Sequence, residues 1–297
     1  MADATAALEL LEFQADDELE QELQTNLAQL NCSLEECELE QSLSGPCDKN
    51  GAYLIINAAI DDLDAQDWAE MLLTMYYRWG RNQSYRVALV EDFVGTTYIG
   101  INSATLARAE VYSATVAIDG RYAYGYLKSE TGVHLLKRTS PFNITRKQAS
   151  SVTVEVVPMY VELEISKQDL ELIILPPPYV RCVIRTLVRI VHVPTGISAI
   201  SGEDRSRLQN KETALAVLTS KLFAIMQRQG VQQLADIQGE ILKTVLNQPI
   251  REYQLASDSA NQGKVLDLRT GIQTTAVAEV LDGKLDSFIK AGVLLKH

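Results

Sequence analysis

Between Asp16 and Glu40 the residues Leu19, Leu23, Leu27, Leu30, Leu34 and Cys37 return every three or four positions, the period of one helical face. The spacing predicts an amphipathic helix with an acidic outer face. Asp16, Asp17 and Glu18 fall in its first turn, where the helix dipole favours anions. One or two helices cannot bury such a stripe alone, so it is expected to pack on the next domain or to be what remains of a larger helical one. Ser44-Gly45-Pro46 ends this pattern. A strand is predicted over 52–58, then a helix opening at Asp64 as N-cap, with Trp68, Met71, Leu72, Met75, Tyr76 and Trp79 inward.

β-rich runs follow at 86–90, 109–118 and 134–137, then at 152–157, 161–165 and 170–175. A helix followed by a block of strands points to an α+β fold. Pro158 and Pro176-Pro177-Pro178 punctuate the runs. Residues 181–193 and 196–200 read as two strands joined by a hairpin-like turn at Pro194-Thr195-Gly196. Asn210 is expected to open a helix to about Gln229, with Leu215, Leu218, Leu222 and Ile225 inward. A last helix is predicted over 275–290.

A length of 297 residues predicts two or three domains, and 46% hydrophobic with 22% charged residues fits a soluble globular chain. No apolar run approaches the roughly 18 residues that span a bilayer. The start MADATAALELLEF reads as neither a signal nor a transit peptide. Cys32, Cys37, Cys47 and Cys182 lack metal or redox spacing and fit small apolar fillers in a reducing compartment. His134, His192 and His297 are scattered, so no metal, cofactor or His-based nucleophile is expected. The net charge of −12 is uneven: residues 1–48 hold 13 acids and no Lys or Arg, leaving 26 acids against 27 bases in the rest. Overall acidity therefore does not argue against a nucleic-acid partner.

Four stretches, in order, resemble the class I bacterial-type peptide chain release factors, and more closely the factor-2 type. They are Ala65-Gln66-Asp67-Trp68-Ala69 with Arg78-Trp79; Tyr122-Ala123-Tyr124-Gly125 with Glu130-Thr131-Gly132-Val133-His134 and Ser140-Pro141-Phe142; Pro194-Thr195-Gly196 with Asp204-Arg205-Ser206 and Asn210-Lys211; and Asp267-Leu268-Arg269-Thr270-Gly271 with Val280-Leu281-Asp282-Gly283. The resemblance implies a release-factor-like multidomain α+β protein. Its parts would be a shortened acidic helical domain at 1–48, a codon-reading-like domain at 49–158, a former hydrolysis domain at 159–245, and a C-terminal segment at 246–297 packing back on the second.

The family's catalytic segment carries a glycine-rich loop with Gly-Gly-Gln, whose flexible backbone approaches the ester and supports charge developing during water attack. Here the corresponding residues are Ile174-Leu175-Pro176-Pro177-Pro178-Tyr179-Val180, with no glycine or glutamine between Leu170 and Pro194. Proline fixes φ and removes donors, so no catalytic residue and no peptidyl-tRNA hydrolysis are expected. Ser140-Pro141-Phe142 matches the tripeptide associated with UGA and UAA. Gln148 stands where the family has a base-stacking histidine, and Asp61-Asp62 where it has a glycine-rich pair. These residues are a remnant codon site or a working one.

Arg181, Arg185 and Arg189 share one face of a strand at even spacing and, with Arg205, Arg207 and Lys211, either meet phosphates or form a solvated face. Lys137-Arg138 and Arg146-Lys147 form a second basic group. Tyr122, Tyr124 and Tyr126 on one strand face could stack bases or simply pack. Among release-factor relatives, a plastid branch in plants lacks Gly-Gly-Gln and stabilises transcripts. The resemblance to it implies RNA binding that shields a transcript end from exonucleases in the chloroplast stroma. The alternatives are a ribosome-binding regulator of termination and a structural subunit of a larger complex.

Overall fold

The computed structural model describes residues 21, 24–27, 30, 41–59, 61–91, 111–142, 147–175, 186–237, 248–255 and 263–295. The chain divides into two compact units, Met1–Ser44 and Gly45–His297. In the first, residues 21, 24–27, 30 and 41–42 are helical. Leu27 is 40% exposed and Leu30 half-buried. Within this unit alone Leu27 is therefore not covered, and the burial expected for the stripe calls for a surface beyond it. Leu19, Leu23, Leu34 and Cys37 lie outside the described residues.

In the second unit, β1 (Ala52–Ala59), β2 (Arg86–Glu91), β3 (Val111–Asp119), β4 (Gly132–Thr139) and β5 (Lys147–Pro158) join β9 (Pro249–Gln254), β10 (Lys264–Asp267) and β11 (Gln273–Thr274). Their order in one sheet is β11-β10-β9-β4-β5-β1-β3-β2. Among the described residues only β4 and β9 run parallel; a parallel pair needs a long crossover, and here the whole of 140–248 separates them. Helix α1 (Leu63–Asn82) lays Trp68, Leu72, Met75, Tyr76 and Trp79 on Leu54, Ile56, Val116, Ile118 and Val154. The alternate residues Tyr53, Ile55 and Val157 belong to a second core with α3 (Arg207–Gln229) and the sheet β6 (Leu170–Leu175), β7 (Leu187–His192), β8 (Ile197–Ser201). Burial on both faces explains why β1 reads AYLIINAA rather than alternating.

Several boundaries differ from the sequence expectation. Asp62, not Asp64, caps α1, accepting from the N–H groups of Asp64 at 3.0 Å and Ala65 at 3.2 Å. Ser206, not Asn210, caps α3. Residues 161–165 form no strand: Leu163 and Ile165 pack on the second core while Glu162 and Glu164 face out, so the alternation reflects a covered linker without ladder partners. The last helix is two, α4 (Val277–Leu281) and α5 (Asp286–Leu294), broken at Gly283 with φ 98°. The turn joining β7 and β8 lies where Pro194-Thr195-Gly196 predicts, with the Gly196 N–H donating to the His192 carbonyl at 2.8 Å. Residues 109–110 and 181–185, expected in strands, lie outside the described residues.

Buried charge ties the C-terminal strands to the rest. Arg251 on β9 makes two 2.7 Å bonds to Glu130 and a 3.2 Å bond to Asp267, and its guanidinium lies 4.6 Å from the Phe288 ring centroid. All three charged side chains are without exposed surface. Tyr76 donates to Glu130 at 2.8 Å, and Arg269 reaches Asp267 and the Ser129 carbonyl. Burial would raise the Glu130 carboxyl, but the charge and bonds of Arg251 outweigh it and hold it below its ordinary range. Burial pushes His134, in the same cluster, down to about 4.

Candidate nucleic-acid interface

Strands β4 and β5 pair from Gly132↔Val154 to Thr139↔Lys147, and the residues just past β4, Ser140–Phe142, lie by the start of α1. Ser140 is buried and donates to Asp64 Oδ2 at 2.8 Å, while the Phe142 N–H donates to the Ser140 hydroxyl at 3.2 Å. Gln148 Nε2 donates to Asp62 Oδ1 at 3.3 Å. Pro141 is exposed, and the Phe142 ring is 57% exposed. The structure thus brings Ser140, Phe142 and Gln148 together, in a depression of about 300 Å³ walled also by Asp61, Asp62 and Asp64. Its hydroxyl and amide are already committed to carboxylates. Three aspartates around so small a space oppose a phosphate and favour a hydrogen-bond donor.

The two basic groups fare differently. Arg138 reaches Asp67 at 2.6 Å and Asp64 at 3.4 Å, and Lys137 reaches Glu252 at 2.8 Å. The Arg138 charge is spent within the fold, while Lys137 stays half exposed beside its partner. Arg189 does not stand on an open face: it is half-buried, in the middle strand of its sheet. Arg189 Nη2 donates to Ser198 Oγ at 3.1 Å, and its Nε is buried without a partner. Close by, Glu91 is buried and accepts from Thr115 at 3.0 Å. Burial pushes its carboxyl up to about 7, against the Lys221 charge, the Thr115 bond and the Arg189 charge. Arg181, Arg185 and Arg146 lie outside the described residues, as does the side chain of Lys147.

Arg205, Arg207 and Lys211 are exposed at the start of α3. The geometry that presents them centres on Asn210, which is 1% exposed. Its amide donates to the Thr186 carbonyl at 3.0 Å and the Asp204 carbonyl at 2.9 Å, and its oxygen accepts the Asp204 N–H at 3.0 Å. Ser206 accepts the Gln209 N–H at 3.3 Å. One buried amide thus fixes the loop before α3 to the start of β7, next in sequence to Arg185. Glu203, Asp204 and Glu212 share the stretch, so this is a mixed surface suited to individual phosphate contacts rather than a strong field.

Tyr122, Tyr124 and Tyr126 do not share a strand face. Tyr122 is left-handed at φ 65° and caps the short helix α2 (Ala123–Leu127). Helical rotation sends the three rings in different directions; Tyr122 is buried under the Arg121 guanidinium, 5.0 Å from its centroid, and Tyr124 and Tyr126 pack on the main core. Among the described residues no group of His, Cys, Asp and Glu is arranged to hold a metal, and no helix is long and apolar enough to cross a membrane. Cys47 is free and half-buried. Sequence reasoning missed the Arg251 cluster, since nothing in its local pattern distinguishes Arg251 from a surface arginine in a strand.

Comparison with known proteins matches residues 1–154 to the PCRF domain. The chain is 40% identical over 285 residues to the peptide chain release factor PrfB1, chloroplastic, of Arabidopsis thaliana, covering 91% of this chain and 58% of that protein's length. It is 36% identical over 285 residues to peptide chain release factor 2 of Thermotoga petrophila, covering 93% of this chain and 73% of that one. The structure of RF2 of Thermus thermophilus superposes with a TM-score of 0.74 at 31% identity, over 98% of this chain and 83% of that one.

Proposed function

From its membership of the peptide chain release factor 2 family, and from what has changed in it, we propose that this chain binds RNA without catalysing peptide release. Its role is to shield the end of a transcript from exonucleases in a plastid. The observation that carries this is the segment Ile174–Val180, whose three prolines and absent glycine and glutamine remove the backbone freedom and donor that water attack on the ester requires. Two features support it further. The codon corner is walled by Asp61, Asp62 and Asp64 with its polar readers already bonded, a poor seat for a stop codon's phosphates. Arg205, Arg207 and Lys211 stay exposed on a rigid support. The chloroplastic name of the Arabidopsis relative supports the compartment.

A second function, occupation of the ribosomal decoding site without hydrolysis, is favoured by the exposed Phe142 ring. Purified protein on programmed ribosomes should release no peptide at any stop codon. Bound to RNA, it should leave a protected fragment against a 3′ exonuclease. Stop-codon-dependent release above background would overturn the proposal. Co-sedimentation with ribosomes and no protected fragment would transfer it to the decoding-site function.

A further inference from the structure

A groove of about 570 Å³ runs along the outer side of α1, bordered by Leu73, Tyr77, Arg78, Arg81, Asn82 and Leu89, with Asp282 among its walls. We infer that this groove is a second RNA contact, taking one nucleotide of a single strand, its base stacked on the Tyr77–Arg81 pair and its phosphate on Arg78. The inference rests on the RNA-binding function proposed above and adds a site on a different face of the molecule's elements.

The Arg81 guanidinium lies 5.9 Å from the Tyr77 ring centroid, and Arg81 Nη1 donates to the Tyr77 hydroxyl at 3.4 Å. A flat cationic group beside an aromatic ring is the platform on which unpaired bases stack. Among the described residues Arg81 pairs with no carboxylate. Arg78 meets Asp282 at 2.6 Å, but both side chains are more than half exposed. An ion pair so open to water holds its partner weakly, so a phosphate can take the place of Asp282. Asn82 adds an amide that both donates and accepts, as a base edge requires.

The site is also built rigidly. Gly283 adopts φ 98°, and a Cβ there would lie 2.7 Å from the backbone nitrogen of Trp79. That close approach seats the turn carrying Asp282 directly on α1, and the Asp286 carboxylate, accepting from Trp79 Nε1 at 3.1 Å and Gln83 Nε2 at 2.7 Å, holds the next turn. The charge selects an anion. The ring beside Arg81 decides between a nucleotide and an acidic polypeptide, because carboxylates gain nothing from a stacking surface.

The test is fluorescence anisotropy of the full chain with a labelled single-stranded oligoribonucleotide. Tyr77→Leu should weaken binding on the order of tenfold, the loss expected for one stacked base. Arg78→Gln with Arg81→Gln, both at exposed positions, should weaken it similarly and lower the log–log salt slope by roughly 0.7, one phosphate. Photocrosslinks to the oligonucleotide should map to the peptide containing Tyr77. If wild-type protein binds RNA while all these variants bind as tightly and no crosslink maps there, the groove contact is wrong and the RNA-binding function stands. If wild-type protein binds no RNA, both fall. If a polyglutamate peptide displaces the RNA and Tyr77→Leu has no effect, the groove is an acidic-polypeptide site and the inference is overturned.

Discussion

Arg251 has no exposed surface, yet its charge is met on two sides by carboxylates and on a third by an aromatic ring. A buried ion pair is weak evidence of net stability, but removing one partner leaves the others charged and dry. Arg251→Met should therefore cost about 3–5 kcal/mol, read as a fall in the urea midpoint. A loss under about 1 kcal/mol would show that Glu130 and Asp267 can be neutralised freely. Two other buried groups oppose each other in pH. His134 is pushed down to about 4 from 6.5, so the stability it contributes is lost as pH falls through that window. Glu91 is pushed up to about 7 from 4.5, so its contribution is present at low pH and lost as pH rises to 7. Between about pH 5 and 6.5 the two slopes oppose each other, with His192, also held down by burial, adding to the His134 side, so wild-type stability should change less steeply than either group alone would make it. Glu91→Gln should unmask the His134 slope, a loss on the order of 2 kcal/mol from pH 6.5 to 5 in denaturation curves; a flat profile in that variant would contradict the burial of His134. None of this was legible in the sequence. His134 was one of three scattered histidines and Glu91 one acid among 39, because burial is set by distant segments.

At the scale of elements much more could be read. The inward face of α1 is the one its spacing predicts, since a 20-residue amphipathic stripe leaves one way to bury two tryptophans. Its start was misplaced by two residues because Asp61, Asp62 and Asp64 all carry capping side chains, and choosing among them needs backbone geometry. The tyrosines at 122, 124 and 126 mimicked a strand because alternation over five residues cannot separate the two periods. The break between α4 and α5 was hidden inside a run with helical composition, although Asp282-Gly283 was its signal. Gly283→Ala tests that break. It forces a left-handed φ on alanine and a carbon into the backbone of α1, so a loss of several kcal/mol is expected, well above the ~1 kcal/mol of an unstrained exchange. A variant melting at the wild-type temperature would mean that the turn can lift off α1.

Across the whole molecule, the family was readable from four short stretches in order, and the fold from the succession of helix and strands. The surface was not. Of the basic residues singled out, Arg138 and Arg189 are engaged inside the fold and the exposed Lys137 is paired with Glu252, while Arg205, Arg207 and Lys211 are exposed. Local sequence gives a side chain's parity along a strand but not what lies opposite it. Replacing Arg205, Arg207 and Lys211 together by glutamine should flatten the salt dependence of RNA binding by about two units, at roughly 0.7 per phosphate, and weaken all sequences alike. An unchanged slope would remove the start of α3 from the interface.

The parallel pairing of β9 with β4 also bears on how the protein is made. β9 contributes an interior strand of the large sheet, flanked by β4 and β10, yet it is synthesised more than a hundred residues after β4. Until it emerges, the nascent chain carries β4 with one open edge, and Glu130 has no Arg251 to pair with. Open edges and unpaired buried charge are what chaperones and proteases recognise. Polypeptides stopped before residue 249 should be cleared rather than accumulate as partial domains, which makes translation of β9 a checkpoint on the product's survival.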